Sequence, residues 1–172
     1  MKKLFFLSII FLSFSFVSPV SAQSEYVLPY PSAMPGSVWY NFQILQELVK
    51  RYWYFGNLSQ FSYNLKKSDK YLIEAKTLFE YKQYLLASKA LKRSDEYYSS
   101  SQDYLKKAAE EGKDISEKFY TLKMASLKHK EILSEISTET PTSYIWTPEK
   151  EESIELPIYR NIKKSIKIRE DL

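Results

Sequence analysis

The sequence of 172 residues contains no cysteine, one histidine and only three glycines. Without cysteine the chain has no disulfide bond, no thiolate metal site and no thiol nucleophile. The single histidine, His129, excludes a metal site built from several imidazoles. Three separated glycines exclude a glycine-rich phosphate-binding loop. These absences predict a protein without metal, without cofactor and without the common catalytic centres.

The N-terminus holds the only long apolar run. Lys2 and Lys3 precede an almost purely apolar stretch from Leu4 to Val17, and small residues follow up to Ala22. This order is that of a secretory signal peptide, and the run is shorter than the ~20 residues that a membrane helix needs. We therefore expect residues 1–22 to direct export to the periplasm, the cell surface or the medium. No transmembrane helix is expected in the mature chain.

The charge balance gives no indication of nucleic-acid binding. The formal net charge is +4, and two of the lysines belong to the signal segment. Because an exported protein also rarely meets nucleic acid, we expect no nucleic-acid partner.

The middle of the chain predicts long helices, because glycine and proline are rare there. Residues 23–36 contain three prolines and are expected to form an extended N-terminal segment. Residues 37–136 are expected to form a helical bundle, whose first helix begins at Ser37 and ends at Gly56. Residues 137–172 are expected to form a linker and a C-terminal amphipathic helical appendage.

Two apolar stripes with alternating spacings of three and four predict a helical hairpin. They cover residues 58–79 and 84–108, and the step between them is five residues. Either the chain turns near residues 80–83, or one long helix continues through a discontinuity. The turn is favoured because folding back lets each stripe bury the other. The paired stripes then place Ser68 beside Ser94 in a layer of small side chains.

Another helix is expected after Gly112, because Asp114 and Glu117 have the spacing of a capping box. Its inward stripe includes His129, for which we expect a structural, hydrogen-bonded role. The predicted fold class is therefore all-α: an up-and-down bundle of about four helices with a long antiparallel coiled-coil-like hairpin.

Carboxylates are the remaining catalytic resource of the chain. Asp69, Glu74, Asp95 and Glu96 fall on the hairpin helices, and paired acids can cleave glycosidic bonds. Lysines at helical spacing from these acids instead indicate solvated ion pairs, and a short bundle seldom contains a substrate cleft. The sequence thus predicts a protein that is not an enzyme, with a carboxylate-dependent envelope hydrolase as a further alternative.

Four consecutive aromatic residues, 52–55, end the first predicted helix. Neighbouring helical residues point about 100° apart, so the four rings cannot form one flat stacking surface. Most of these rings are expected in the core, whereas Tyr54 points to the polar face together with Tyr40. Either the proline-rich N-terminal segment or a partner covers this face. The candidate partner-binding residues here are Tyr40, Trp53 and Tyr54.

The C-terminal segment is predicted to be a docking element. Thr147-Pro148-Glu149 has the pattern of a helix start, and Pro157 separates an acidic stretch from a basic final helix. Isoleucines share one side of that helix and lysines occupy the others, which is typical of helices that rest on anionic lipid or on an acidic partner. The alternative is that the isoleucines fold back onto the bundle. The candidate partner-binding residues here are Ile158, Ile162, Lys163, Lys164, Ile166 and Lys167.

Several short motifs resemble an uncharacterised family of exported bacterial helical domains. Members open with a Leu-Pro and Pro-x-Ser-x-x-Tyr segment after the signal peptide and continue into a helical hairpin containing Leu-x-Glu-Ala. The resemblance covers about residues 26–110, and it implies export and an all-helical fold without supplying an activity. Where the family often has lysine, this chain has Gln43. The matching positions are Leu28-Pro29, Met34-Pro35-Gly36-Ser37, Tyr40, Glu47, Trp53 and Leu72-Ile73-Glu74-Ala75. Residues 80–91 also resemble part of a tetratricopeptide repeat.

The function expected from the sequence is that of a non-enzymatic interaction or structural module in the cell envelope or outside the cell. Its partner would be a protein or another envelope component, and peripheral contact with an anionic membrane is possible through the C-terminal segment. The alternative is a binder of a small ligand or an envelope polymer that uses aromatic surfaces.

Overall fold

The computed structural model describes residues 25–30, 53–150 and 152–171 of the chain. Within these ranges the chain forms four helices and one small β-hairpin. The elements are α1 (Asn57–Glu80), α2 (Tyr84–Glu110), α3 (Ser116–Glu139), β1 (Tyr144–Trp146), β2 (Ile154–Leu156) and α4 (Ile158–Glu170). The predicted all-α fold class is confirmed.

The predicted helix that begins at Ser37 falls mostly outside the described residues, as does Tyr40. Its last part is described, and Trp53 to Phe55 are not helical. Gly56, with φ of +82°, directly precedes α1. Gln60 does not complete a capping box with Asn57; its side-chain amide donates to the carbonyl of Tyr54 at 2.7 Å.

α1 and α2 form the predicted hairpin, and the turn at residues 81–83 rules out one continuous helix. The backbone N–H of Lys82 donates to the carbonyl of Phe79, and that of Gln83 donates to the carbonyl of Leu78. This pair of bonds is a Schellman motif, which requires a left-handed residue at its centre. Lys82 takes that position with φ of +59°. Because no glycine marks the turn, the sequence alone could not exclude a single continuous helix.

The predicted register of the hairpin is confirmed by the two serines at its middle. The hydroxyl of Ser68 donates to the carbonyl of Ser94 at 3.0 Å, and the hydroxyl of Ser94 donates to the carbonyl of Ser68 at 2.9 Å. Both serines are fully buried. Only small side chains permit the close backbone approach that these reciprocal bonds need.

The turn between α2 and α3 uses the predicted glycine. Gly112 has φ of +72°, and the bonds from Gly112 and Lys113 to the carbonyls of Ala109 and Ala108 again form a Schellman motif. One Asp114 carboxylate oxygen accepts from the Ser116 N–H at 2.9 Å, and this bond lowers the pKa of Asp114. The predicted capping-box partner, Glu117, pairs with Lys118 at 3.0 Å.

The C-terminal segment is the fourth helix of the bundle, which corrects its interpretation as a docking element separate from the core. Ile158 and Ile162 are fully buried among residues of α2 and α3. Ser165 and Arg169 continue the same inward side at helical spacing and are buried as well. Serine and arginine are polar and are not expected in a core, so the sequence pattern indicated only part of this inward face.

A two-stranded antiparallel hairpin leads from α3 into α4. Its register pairs Tyr144 with Leu156 and Trp146 with Ile154. Leu156 is buried, and the ring of Tyr144 lies 4.7 Å from that of Tyr84. The helix start predicted at residues 147–149 is therefore wrong, because this segment is the tip of the hairpin.

Neighbouring contacts define the direction of each helix. Asp69 of α1 meets His129 of α3, and further along both helices Lys76 meets Glu135 at 2.8 Å. These two helices therefore run in the same direction. Ser165 bonds to Asp95, and further along both helices Gln102 bonds to Asp171, so α4 runs in the same direction as α2. The hairpin makes α2 antiparallel to α1. The four described helices are thus an up-and-down bundle. None of them is both long and apolar enough to cross a membrane.

Among the described residues, the core consists of two apolar clusters. The turn-end cluster lies beside the α1–α2 turn and includes Leu72, Ala75, Phe79, Leu91, Leu133, Ile158 and Ile162. The open-end cluster lies at the other end and includes Phe61, Leu65, Tyr98, Leu105, Leu122 and Ala125. Buried polar side chains lie between the two clusters.

Candidate functional site

A buried polar layer separates the two clusters, and every described helix contributes to it. We define the polar layer by its five central members: Asp69 of α1, Ser94 and Asp95 of α2, His129 of α3 and Arg169 of α4. Such groups must be hydrogen-bonded when they leave water, because a buried charge without partners costs several kcal/mol.

Arg169 is the centre of the polar layer and is fully buried. Its Nη1 donates to Asp95 at 2.6 Å, and its Nη2 donates to the hydroxyl of Ser94 at 2.8 Å. Its Nε donates to Nδ1 of His129 at 3.0 Å. The guanidinium carbon also lies 5.0 Å from the ring centre of Tyr98. One side chain of α4 therefore joins α2 and α3.

These contacts fix the tautomer of His129. Nδ1 accepts from Arg169, so the proton lies on Nε2, which donates to Asp69 at 2.7 Å. Burial lowers the pKa of His129, although the hydrogen bond to Asp69 acts in the opposite direction. The imidazole is therefore neutral near pH 7. The predicted hydrogen-bonded role of this histidine is confirmed.

The N-terminal segment closes the polar layer on one side. The hydroxyl of Tyr26 donates to the second carboxylate oxygen of Asp69 at 2.7 Å. Burial, followed by the neighbouring Asp69 charge, raises the pKa of Tyr26. Tyr26 packs against the open-end cluster and Leu28 against the turn-end cluster. Residues 26–28 thus cross the bundle over the polar layer.

The polar layer contains an Asp–His pair, but its geometry does not suit nucleophilic catalysis. His129 is fully buried, and both of its ring nitrogens are already bonded. The hydroxyl of Ser94 donates to a backbone carbonyl and accepts from Arg169, so it does not approach the imidazole as a nucleophile would. The polar layer instead connects the helices through side-chain hydrogen bonds. In the described ranges, no group of three or more acidic or histidine side chains could hold a metal ion.

The isoleucines predicted to bind a partner lie inside the molecule. Ile158 and Ile162 belong to the turn-end cluster, and Ile166 packs against it while half-buried. Ile158 and Ile162 are therefore not accessible to a partner in the folded chain, whereas partner contact by Ile166 stays a prediction. Lys163, Lys164 and Lys167, also predicted, are all exposed.

The exposed lysines form a continuous line on α4. Together with Arg160 they are spaced at i, i+3, i+4 and i+7, so all four cations share one side of the helix. We call Arg160, Lys163, Lys164 and Lys167 the basic stripe. Among the described residues, no carboxylate lies within ion-pair distance of these four. The stripe faces away from the isoleucines, and it was only partly named from the sequence.

A groove between α2 and α4 brings Lys164 close to two lysines that the sequence did not single out. Lys89 and Lys92 of α2 line this groove with Lys164. They lie more than 70 residues before Lys164 in the chain, so no local spacing pattern reveals the juxtaposition.

The aromatic run is placed differently from its prediction. Trp53 is 72% exposed and Phe55 is 82% exposed, whereas both were expected in or beside the core. Tyr54, expected to point outward, is half-buried with its ring 4.9 Å from that of Tyr63. The reason is that residues 53–55 are not helical, so the angular spacing assumed for them does not apply. These residues precede α1 at the open end, far along the bundle from Ile158.

Comparison of the chain with protein-family models, with curated proteins and with solved structures finds no match.

Proposed function

We propose that the chain is a non-enzymatic interaction module that works in the cell envelope or outside the cell, and that it binds an acidic surface through the basic stripe. The signal-like residues 1–22 and the resemblance to exported helical domains support the location. The buried polar layer supports a structural use for the residue types that otherwise suggest catalysis.

The observation that carries this proposal is the division of α4 into two sides. Ile158, Ile162 and Arg169 are fully buried on one side, while the four cations of the basic stripe occupy the other. Like charges at these spacings repel one another on an isolated helix. An acidic partner relieves that repulsion and gains charge-assisted contacts, and it accelerates encounter through electrostatic steering.

Charge reversal tests this role. Lys163→Glu/Lys167→Glu changes the stripe, and Lys107→Glu/Lys123→Glu is a matched control with the same change in net charge on exposed sites of α2 and α3. Each purified protein is immobilised and exposed to the envelope fraction, and in parallel is sedimented with anionic vesicles. We expect the control to retain the binding of the parent chain and the stripe variant to lose it. Equal binding by both variants would contradict the proposal.

The two binding assays also separate the classes of partner. Retention of the same envelope protein, without vesicle binding, identifies an acidic protein partner. Vesicle binding that disappears at high salt identifies the anionic membrane surface, because exposed charge contacts are screened at ionic strengths above physiological values.

Export is tested independently of binding. The mature protein is expected to begin at Gln23, and intact-mass measurement of the exported chain gives its N-terminus. A mass that retains residues 1–22 in a membrane-held protein would replace secretion with anchoring.

A second candidate function is binding of an envelope polymer by exposed aromatic rings. It is favoured by Trp53 and Phe55, which expose 72% and 82% of their surface within three residues of each other. Aromatic side chains gain much from contact with apolar sugar faces or apolar peptide. Trp53→Ala/Phe55→Ala should abolish co-sedimentation with envelope polysaccharide, whereas Tyr120→Ala, at an exposed ring on α3, should not. Unchanged co-sedimentation of the double variant would reject this candidate.

A further inference from the structure

The groove between α2 and α4 has the composition of a small-molecule site. Its volume is about 300 Å³, at the lower end of the range for ligand pockets. Leu85 and Leu91 of α2 and Leu156 of β2 supply an apolar lining. A ligand of this size needs at least one apolar portion to use that surface.

The polar part of the groove is positively charged. Lys89, Lys92 and Lys164 line it, and in the described ranges neither Lys89 nor Lys164 pairs with a carboxylate. Lys92 lies 3.9 Å from Glu96, with both side chains largely exposed, which is a weak pair. The groove therefore favours an anion at its rim.

Asp95 is the carboxylate that lines the groove among the described residues, and it does not cancel this charge. One of its oxygens accepts from Nη1 of Arg169 at 2.6 Å, and the other accepts from the hydroxyl of Ser165 at 2.7 Å. Arg169 thus neutralises Asp95 within the polar layer, which leaves the three lysines as the excess charge.

One hydroxyl beside the groove has no hydrogen-bond partner among the described residues. Ser88 lines the groove, and its Oγ atom, which is itself buried, has no hydrogen-bond partner in the described part of the chain. A buried polar atom without a partner is rare and costs stability, so a ligand oxygen that bonds to it gains affinity. Ser88 directly precedes Lys89, and both residues line the groove.

We propose that this groove binds an amphiphilic anion, a carboxylate that carries one short acyl chain. The carboxylate lies against Lys89, Lys164 and the hydroxyl of Ser88, and the chain lies on Leu85, Leu91 and Leu156. The small volume favours a single acyl chain over a lipid with two. Lys164 belongs to both the groove and the basic stripe, but this site does not rest on the partner binding proposed above, because Lys89, Ser88 and the apolar lining lie outside the stripe.

Calorimetric titration of the purified protein with decanoate, below its micellar concentration, tests the site. Two probes separate the parts of the ligand: decyl maltoside has the chain without the charge, and inorganic phosphate has charge without a chain. We expect decanoate to bind with one site per chain and each control probe to bind at least about tenfold more weakly. Binding of decyl maltoside or phosphate as tightly as decanoate would overturn the proposal, as would the absence of decanoate binding.

Variants locate the site. Lys89→Glu reverses the rim charge, and Ser88→Phe fills the groove without changing charge; each should weaken decanoate binding at least about tenfold. Lys107→Glu should leave it unchanged, and Lys163→Glu/Lys167→Glu should weaken it less than Lys89→Glu, because Lys163 and Lys167 lie near Lys164 but do not line the groove. Thermal unfolding measures whether each variant is folded. If Ser88→Phe does not fold, the result for Lys89→Glu decides the test. Equal binding by Lys89→Glu and Lys107→Glu would place the ligand elsewhere and reject the proposal.

Discussion

Arg169 bonds to side chains of two other helices, although its sequence context is that of a surface cation. It lies two residues after Lys167 and directly before Glu170 in a basic helix. Its burial follows from the rotation of α4, because the isoleucines that anchor the helix put position 169 on the same side. The guanidinium then meets Asp95, Ser94 and His129 at once. The planar guanidinium donates in several fixed directions and so reaches all three acceptors, whereas a lysine ammonium would bond to only some of them.

Replacement of Arg169 by methionine is expected to lower the free energy of unfolding by about 3–5 kcal/mol, because it leaves the largely buried carboxylate of Asp95 without the guanidinium that is paired with it. Methionine keeps most of the apolar stem, so the loss reports the missing charge and hydrogen bonds. Lys167→Met is the control, and as an exposed substitution it should change stability by less than about 0.5 kcal/mol. Urea unfolding measures both variants. A loss at Arg169 no larger than that at Lys167 would contradict the role assigned to the polar layer.

The neutral, buried state of His129 makes stability depend on pH in a defined window. Burial lowers the pKa of His129 in the folded chain, whereas the unfolded chain binds the proton near the ordinary value of about 6.5. The stability due to neutral His129 is therefore complete above pH 6.5 and is lost as the pH falls below it. The expected slope reaches at most about 1.4 kcal/mol per pH unit.

His129→Gln isolates this contribution, since glutamine offers one donor and one acceptor and does not titrate. Between pH 7 and pH 5, the free energy of unfolding of the parent chain should fall more steeply than that of His129→Gln. The comparison stays above the range in which most carboxylates titrate. Parallel curves in that window would show that His129 takes up no fewer protons in the folded chain than in the unfolded one.

Among the described elements, the two turns of the bundle use the same backbone motif with different residues. Gly112 fills the left-handed position between α2 and α3, and Lys82 fills it between α1 and α2. A side chain in this conformation costs roughly 1–2 kcal/mol, and glycine avoids that cost. The turn without glycine forms because the two long stripes gain more by packing than the strained residue loses.

Lys82→Gly is therefore expected to stabilise the protein by about 0.5–1 kcal/mol, part of the relief being offset by the freedom of glycine in the unfolded chain. Lys106→Gly, in the exposed interior of α2, is the matched control and should destabilise by about 1 kcal/mol. Chemical denaturation of both variants gives the two differences. A loss of stability in Lys82→Gly would show that its left-handed backbone is not strained.

The elements that were predicted well are those whose signal is local. Heptad spacing fixed the register that places Ser68 against Ser94, and Gly112 marked the end of α2. The hairpin tip was mistaken for a helix start because Pro148 suits both. The aromatic run was assigned helical angles, and Trp53 and Phe55 are exposed because the backbone there is not helical. No local spacing distinguishes these cases.

At the scale of the whole molecule, the candidate sites depend on contacts between distant parts of the chain. Ser88 and Lys89 meet Lys164 across a groove, and Tyr26 reaches Asp69 over a separation of 43 residues. A single sequence contains no signal for such pairs. His129 could be given a structural role from its position on an apolar stripe, but its partners Asp69 and Arg169 could not be named. The same limit explains why α4 was separated from the bundle.

The dependence of the fold on α4 gives the last prediction. A chain that ends at Pro157 loses Ile158 and Ile162 from the turn-end cluster and Arg169 from the polar layer. Each buried isoleucine contributes about 2–5 kcal/mol, and the removal of Arg169 leaves Asp95 without its paired cation. The combined loss is therefore comparable with the whole stability of an ordinary domain, about 5–15 kcal/mol.

We therefore expect the truncated chain to lose its cooperative thermal transition and its near-ultraviolet circular dichroism, whereas Lys163→Glu/Lys167→Glu keeps both. The comparison separates the two sides of one helix: the buried side maintains the fold, and the basic stripe is free to bind. A truncated chain that melts within a few degrees of the parent would restore the interpretation of α4 as a docking element and reject its place in the core.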